Sequence, residues 1–372
     1  MSKSYTAIKE IARQAMPKLV ERLAFPMAVH RDYADDCHYL GDIVKVRKPP
    51  MLTATEFDAS QGVSYDALGP VLVDVKLDTI ATVDVAAEAV EMAVNAEDLD
   101  RAFIEPAAAA LAEKINADGL KLYADIANFV GAAGTTPGSL EDLAAVRKAM
   151  NMNRVPALGR TAVWDPEADT AFATVPAIVN AEKSGTTAAL REGAIGRVFG
   201  IDNYMAPNVQ AHASGLTAAT GVKVNGAAAK GATSINLDGT TLTGKLVKGD
   251  LMKIGGVCYV VTADSANAAS NAIGGVQIYP ALKEQIADNA DVEVIGSHTA
   301  NLAFHPMAFA FVTRPLINPD GEGVASYVTN YNGISLRVTK GYDQKYKRST
   351  YSMDVLYGFK TVYPELAVRV LG

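Results

Sequence analysis

The run with the side chains to hold a metal ion is His30–His38, which reads HRDYADDCH. It packs two histidines, three aspartates and one cysteine into nine residues. Imidazole, carboxylate and thiolate are the donors zinc prefers, but this spacing matches no usual zinc pattern. The run lies in a turn-rich stretch just before a strand, and a polar connector accounts for it better. Asp35 with Asp36, and Asp98 with Asp100, are the carboxylate pairs that could share acid–base work. Helix capping and solvent exposure explain both pairs better. His212, His298 and His305 are scattered through the rest of the chain. Cys37 and Cys258 lie far apart without a CxxC or CxxxC companion, and read as free thiols of a reducing compartment. No GxGxxG follows a strand, and GxxxxGK[ST], GxSxG and HExxH are missing. No catalytic, cofactor-binding or metal residue is therefore assigned, although an enzyme can assemble its site from dispersed residues.

The totals narrow the classes further. At 372 residues the chain exceeds what one hydrophobic core usually organises, so two or more domains are expected. A hydrophobic share of 49% with 20% charged residues describes a soluble globular protein. The net charge of −7 has the wrong sign for a protein that grips nucleic acid by its phosphates. No run of about 18 apolar residues predicts a membrane span, and the N-terminus lacks the apolar centre of a signal peptide. A cytosolic product is expected.

The elements that position these residues are more informative. From Val71 to Val85 the odd positions Val71, Val73, Val75, Leu77, Val83 and Val85 are apolar, while Asp74, Lys76, Asp78 and Asp84 face away. That period of two predicts one long strand. Ile104, Ala108, Leu111, Ile115, Gly119, Leu122, Ile126 and Phe129 then recur at steps of three and four, which predicts a helix roughly 35–40 Å long. Asn95 is its expected cap, with Asp98 three residues on. Residues 4–24 predict an amphipathic helix bent or divided at Pro17, with Ile8, Ile11, Ala15, Leu19 and Leu23 on one side. A further strand is expected at Ile43–Arg47. The polar stretch from Met51 to Pro70 between two good strands reads as a long protruding hairpin.

Ser139 with Asp142 predicts a capped helix to about Met152, and Asp165 with Pro166 opens another. With short strands such as Arg197–Met205, these make a compact α+β region. Composition shifts at Thr217 towards Gly, Ala, Asn, Thr and Asp. Six short strands are expected at Val222–Val224, Ser234–Leu237, Leu251–Ile254, Val257–Thr262, Val276–Tyr279 and Val292–Ile295, with Gly255–Gly256 as a hairpin turn. They predict a small antiparallel barrel or sandwich inserted in the surrounding fold. Alternation returns at Ile334–Thr339 and Tyr351–Thr361.

Three stretches carry a family resemblance: GDIVKVRKP at 41–49; LDTIATVDV at 77–85 leading to FIEPAAAALAEKINADGLKLY at 103–123; and YDQKYKRSTYSMDVLYGFKTVYPELAVRV at 342–370. In this order they resemble the major capsid (coat) protein of tailed double-stranded DNA bacteriophages, in the podovirus-type branch that carries an inserted β-domain. The resemblance implies an α+β fold of the tailed-phage major capsid type. Residues 1–40 would be an N-terminal arm, 41–82 an extended β-hairpin loop, and 83–131 the spine helix of a peripheral domain. The axial domain would comprise 132–221 and 297–330, interrupted by the β-barrel domain at 222–296, and 331–372 would complete the peripheral domain.

The function so implied is structural: self-assembly into the pentamers and hexamers of an icosahedral shell enclosing the phage genome. Arg47, Lys48, Glu56, Asp58 and Asp66 are then candidates for contacts between subunits. Lys9, Arg13 and Lys18, on a basic arm, are candidates for docking a scaffolding protein. A portal is a further expected partner; no cofactor, membrane contact or specific nucleic-acid recognition is expected. The place would be the virion, after synthesis and assembly in the bacterial host cytoplasm. The alternative is a β-rich surface- or carbohydrate-binding module, for which Tyr259 and Tyr279 are the only aromatic rings between 217 and 296.

Overall fold

The computed structural model describes residues 2–31, 43–48, 71–88, 104–180, 182, 185, 188–318, 324–346 and 348–372. Residues 32–38 of the histidine run lie outside these, as do Glu56, Asp58, Asp66, Asn95, Asp98 and Asp100. The chain forms two units, one of residues 1–17, 31–108 and 310–362, the other of residues 18–30, 109–309 and 363–372.

Helix α1 spans Ser2–Arg22 and α2 spans Ala24–Ala28. The apolar stripe read from the sequence is the buried one: Ile8, Ile11, Ala15, Leu19 and Leu23 are all at most 5% exposed. Pro17 lies inside α1 without dividing it. The break falls instead at Leu23, which adopts an extended conformation. Asn116 spans this break, its Nδ2 donating to the Arg22 carbonyl while its Oδ1 accepts from the Phe25 amide.

In the first unit the expected long strand from Val71 to Val85 is two strands with different partners. Val71–Lys76 pairs antiparallel with Ile43–Lys48, Val44 opposite Val75 and Lys48 opposite Val71, as a two-stranded ribbon. Thr79–Glu88 instead pairs with Arg348–Thr361, Thr79 opposite Tyr357 and Glu88 opposite Arg348. One alternating pattern serves both, because each ribbon needs only a period of two. Gly358 makes the changeover possible: a Cβ there would stand 2.3 Å from the Lys76 carbonyl oxygen, so only glycine admits that approach. Arg348–Thr361 also pairs with Ile334–Asp343, which pairs in turn with Ala325–Tyr331, a strand not expected from the sequence.

The second unit is built on a seven-stranded sheet. Its order is Phe129–Val130, Ala367–Leu371, His298–Phe304, Arg160–Trp164, Ile201–Met205 and Arg197–Val198, with Ala211–His212 pairing His298–Thr299 at one end. All residues of Arg160–Trp164 and Ala367–Leu371 are buried, which is why these central strands show no clean alternation. The expected strand Arg197–Met205 is a hairpin turned at Phe199 and Gly200, both at positive φ.

Helix α3 spans Glu105–Leu120, about 24 Å, and gives way to a 3-10 turn at Lys121–Asp125. This corrects the longer helix expected to Phe129. The stripe continues numerically, but sheet pairing takes over: Phe129 and Val130 run parallel to Arg369 and Val370. The Arg369 guanidinium takes the carbonyls of Tyr123 and Ile126, ending the helix where its acceptors are claimed. The two capped helices form as expected. In α4, Leu140–Met152, Ser139 and Asp142 make a reciprocal capping box. In α5, Pro166–Ala173, the Asp165 side chain accepts from the Glu167 and Ala168 amides.

Between Leu216 and Val294 the chain builds a β module. Six strands run in the order Lys223–Val224, Ser234–Asp238, Ala272–Tyr279, Val257–Val261, Leu251–Ile254 and Val292–Val294. The first strand also bonds to the chain entering the last: the Val224 amide donates to the Ala290 carbonyl and the Val292 amide to the Val222 carbonyl, each at 2.9 Å. Inside lie Val224, Leu237, Leu246, Met252, Val261 and Val276, at most 1% exposed. Gly255 and Gly256, at φ 56° and 82°, form the expected tight turn. A two-stranded ribbon of Leu216–Thr220 with Thr241–Gly244 was not foreseen.

Candidate functional site

The contact residues expected from the sequence fall into two groups. Arg47 and Lys48 end the outgoing strand of the ribbon, opposite Leu72 and Val71, so its backbone register places them at the base of the 49–70 segment. Lys45 on the same strand is exposed, while Val44 and Val46 are at most 1% exposed. The ribbon thus turns an apolar side inward, while on the other side Lys45 and Asp74 stand exposed beside Ile43 and Leu72.

Lys9, Arg13 and Lys18 lie on α1, off its buried stripe. Arg13 is exposed. The Lys9 ammonium stands 5.9 Å from the centre of the Tyr327 ring, within the range of a weak cation–π contact. The three cations therefore share one helix, but Lys9 is engaged with its own unit.

The second unit contains a buried polar cluster that sequence reasoning missed. His212 and His298 stand opposite each other in register, at the points where the chain enters and leaves the β module. The Nε2 of His212 is 2.8 Å from Asp250 Oδ1, and the side chains are only 3% and 0% exposed. Asp250 Oδ2 accepts from the Val247 amide at 2.7 Å. The Nδ1 of His212 is 3.1 Å from the Tyr123 hydroxyl. His298 donates from Nδ1 to the Gly296 carbonyl at 2.8 Å, which leaves Nε2 to accept from Arg369 Nη1 at 3.3 Å. Arg369 is wholly buried and donates to the carbonyls of Gly249 and Tyr123 at 2.8 and 2.6 Å. Its guanidinium lies 4.8 Å from the centre of the Tyr123 ring.

Burial pushes His298 down to about 4, with the Arg369 charge adding to the effect against the opposing Gly296 bond. Burial likewise pushes Arg369 down to about 9, opposed by Tyr123, Asp250 and Asp125. The cluster thus holds one guanidinium against one carboxylate and keeps His298 neutral. Every member is fastened to backbone or to another member. It pins five distant stretches of chain together at the root of the module, and no solvent-facing nucleophile belongs to it.

A second tether lies nearby, where the Tyr279 hydroxyl donates to Glu365 and burial raises the tyrosine's pKa. Tyr259 is 2% exposed in the module core. Tyr259 therefore presents no open ring face on which a sugar would stack. Among the described residues, no group of three or more His, Cys, Asp or Glu side chains could hold a metal ion. No helix among them is long and apolar enough to cross a membrane.

No protein-family model and no curated protein matches the chain. Solved structures do. A chain from Mycobacterium phage Che8 superposes with a TM-score of 0.52 over 94% of this chain and 90% of its own, at 16% identity. A capsid chain of an empty GTA particle gives 0.47 over 94% and 90%, at 9% identity. The capsid of Cyanophage P-SCSP1u gives 0.45 over 89% and 83%, at 13% identity. The near-complete mutual coverage with the Che8 chain leads to one assignment: the chain has the tailed-phage major capsid fold.

Proposed function

We propose that this chain is the major capsid protein of a tailed double-stranded DNA phage, self-assembling into the icosahedral shell around the genome. The observation that carries this reading is the superposition on the Che8 phage chain along nearly the whole length of both proteins. The ordered family stretches at 41–49, 77–123 and 342–370 support it independently.

The layout follows the same reading. Residues 1–40 serve as the arm, 41–82 as the extended loop and 83–131 as the spine. Residues 132–221 with 297–330 form the axial domain, 222–296 the inserted barrel of the podovirus-type branch, and 331–372 the closing strands. A shell requires unlike surfaces that meet head-to-tail around rings of five and six subunits. A ribbon reaching across a neighbour buries area without interpenetration of compact domains, and about 1,000–2,000 Å² makes a stable contact. Arg47, Lys48, Glu56, Asp58 and Asp66 are proposed to meet opposite charges on adjacent subunits. Lys9, Arg13 and Lys18 are proposed to receive an acidic scaffolding protein, and a portal completes the partners. The finished product belongs to the virion, after assembly in the host cytoplasm.

Electron microscopy of the expressed chain tests the reading. Shells or curved sheets of hexamers are expected; a monodisperse small oligomer under all assembly conditions would refute it.

A further inference from the structure

A row of positive charge crosses the end of α4 in the second unit. Residues 143–164 include Arg147, Lys148, Arg154 and Arg160 and no acid, +4 in a chain of −7. Arg147, Lys148 and Arg154 are exposed, and among the described residues none of the three has an ion-pair partner. From Arg147 to Arg154 the rise is about 10 Å. The helix dipole does not account for Arg147 and Lys148. Its field is confined to the last turn, where no basic residue stands. Nor does a carboxylate compensate them. Asp142 is committed to the opposite end of α4, and Arg160 is lowered in pKa first by burial and then by the charge of Arg147.

The helix closes on an arginine where glycine is usual. The Val155 amide donates to the Met150 carbonyl and the Arg154 amide to the Asn151 carbonyl, each at 3.0 Å. This closure holds Arg154 at φ 56°, a left-handed conformation whose steric cost glycine escapes. Met150 and Val155 are buried beneath it. Arg160, also buried, donates to the carbonyls of Val155 and Pro156 at 2.6 and 2.8 Å. The turn is thus fixed without the Arg154 side chain, which is left for use outside the fold. The run offers a partner charge and little else. It has no aromatic ring before Trp164, which is fully buried, so the usual anchor of a protein interface is missing. Met152 and Leu158, 74% and 78% exposed, are of the kind that minor-groove binders set against the sugar edges. An anion of repeating charge needs only the cations.

We propose that Arg147, Lys148 and Arg154 form a sequence-independent seat for the phosphate backbone of a nucleic-acid duplex. That the duplex is a packaged genome rests on the shell reading; the seat itself does not. The acidic balance of the remaining chain confines binding to this row. Three phosphate contacts per chain hold a duplex weakly and let it go readily.

The test uses the unassembled full-length subunit and a short labelled DNA duplex of mixed sequence, read by fluorescence anisotropy, with a thermal melt as folding control. Between about 50 and 200 mM salt the wild type should lose about 40-fold in affinity, a log–log slope of about −2.7 for three phosphates. Arg147→Ala with Lys148→Ala should weaken binding about tenfold or more at the lower salt and flatten the slope to about −0.9. Arg154→Gly should flatten it to about −1.8 while raising the melting temperature, a pairing that a purely structural arginine would not give. Arg154→Lys should keep the wild-type slope. Lys230→Ala with Lys283→Ala removes the same charge from exposed positions of the β module and should leave the slope unchanged. No duplex binding by wild type at the lower salt overturns the proposal, as does an equal loss in the Lys230 and Lys283 variant. Polyglutamate binding the row more tightly than duplex also overturns it, and assigns the row to an acidic protein. Shells that form normally from subunits that ignore duplex refute the seat alone. Duplex binding by a chain that never forms shells keeps the seat and refutes the shell.

Discussion

The sharpest consequence of the buried cluster is a pH dependence assignable to one histidine. The ring of His298 is forced neutral by its partners, with Nδ1 donating to Gly296 and Nε2 facing the Arg369 guanidinium. Protonation would set a second cation against Arg369, with only Asp250 near to compensate and His212 opposing. In the unfolded chain the ring titrates near 6.5, and in the folded chain near 4. At about 1.4 kcal/mol for each tenfold change, this gap makes about 3 kcal/mol. The folded value is the lower one for a base, so the unfolded state takes the proton first. The stability is therefore fully present above about pH 6.5 and is lost as the pH falls towards 4, at up to about 1.4 kcal/mol per pH unit.

Carboxylates titrate over part of the same range, so the informative quantity is a difference. His298→Gln keeps an acceptor for Arg369 but removes the titrating proton. Urea unfolding of the unassembled subunit can be followed through Trp164, the single tryptophan, which is fully buried and donates to Asn203 at 2.9 Å. Wild type minus variant should decline by about 3 kcal/mol between pH 7.5 and 4. Parallel stability curves across that range would refute the assignment.

Two further predictions address other parts of the molecule. Gly358→Ala places a Cβ 2.3 Å from the Lys76 carbonyl oxygen and 3.1 Å from its carbon, so backbone must move. A loss of about 3 kcal/mol or more in urea is expected, and an unchanged midpoint would show that the strands do not approach this closely. Lys9→Glu with Arg13→Glu reverses charge off the buried side of α1. Stability should change by no more than about 0.5 kcal/mol. Shells grown with an acidic scaffolding partner should become irregular in size by electron microscopy, and regular shells would refute the docking role.

Local chemistry was legible wherever a few adjacent residues decide the outcome. Ser139 with Asp142, Asp165 with Pro166, and the Gly255–Gly256 turn each form as their residue types dictate. The six strands of the β module fall within a few residues of their expected places, because each is short, half-buried and bounded by turn residues. The C-terminal strands Ile334–Asp343 and Arg348–Thr361 were visible through the alternation in Ile334–Thr339 and Tyr351–Thr361. What failed was choice of partner. The pattern from Val71 to Val85 could not reveal two ladders, and the stripe to Phe129 could not reveal a strand waiting for Arg369. The buried cluster was invisible because Tyr123, His212, Asp250, His298 and Arg369 are scattered over some 250 positions. One signal was available: two of the five histidines bracket the β module.

The place of Ala367–Leu371 in the sheet has a consequence for biosynthesis. This strand lies between Phe129–Val130 and His298–Phe304, and both neighbours leave the ribosome before it does. Until it emerges, the edge strand Phe129–Val130 has no partner in the sheet, and the cluster around Arg369 lacks its keystone. A nascent chain therefore cannot finish this unit piecemeal, and subunits released prematurely carry a visible defect.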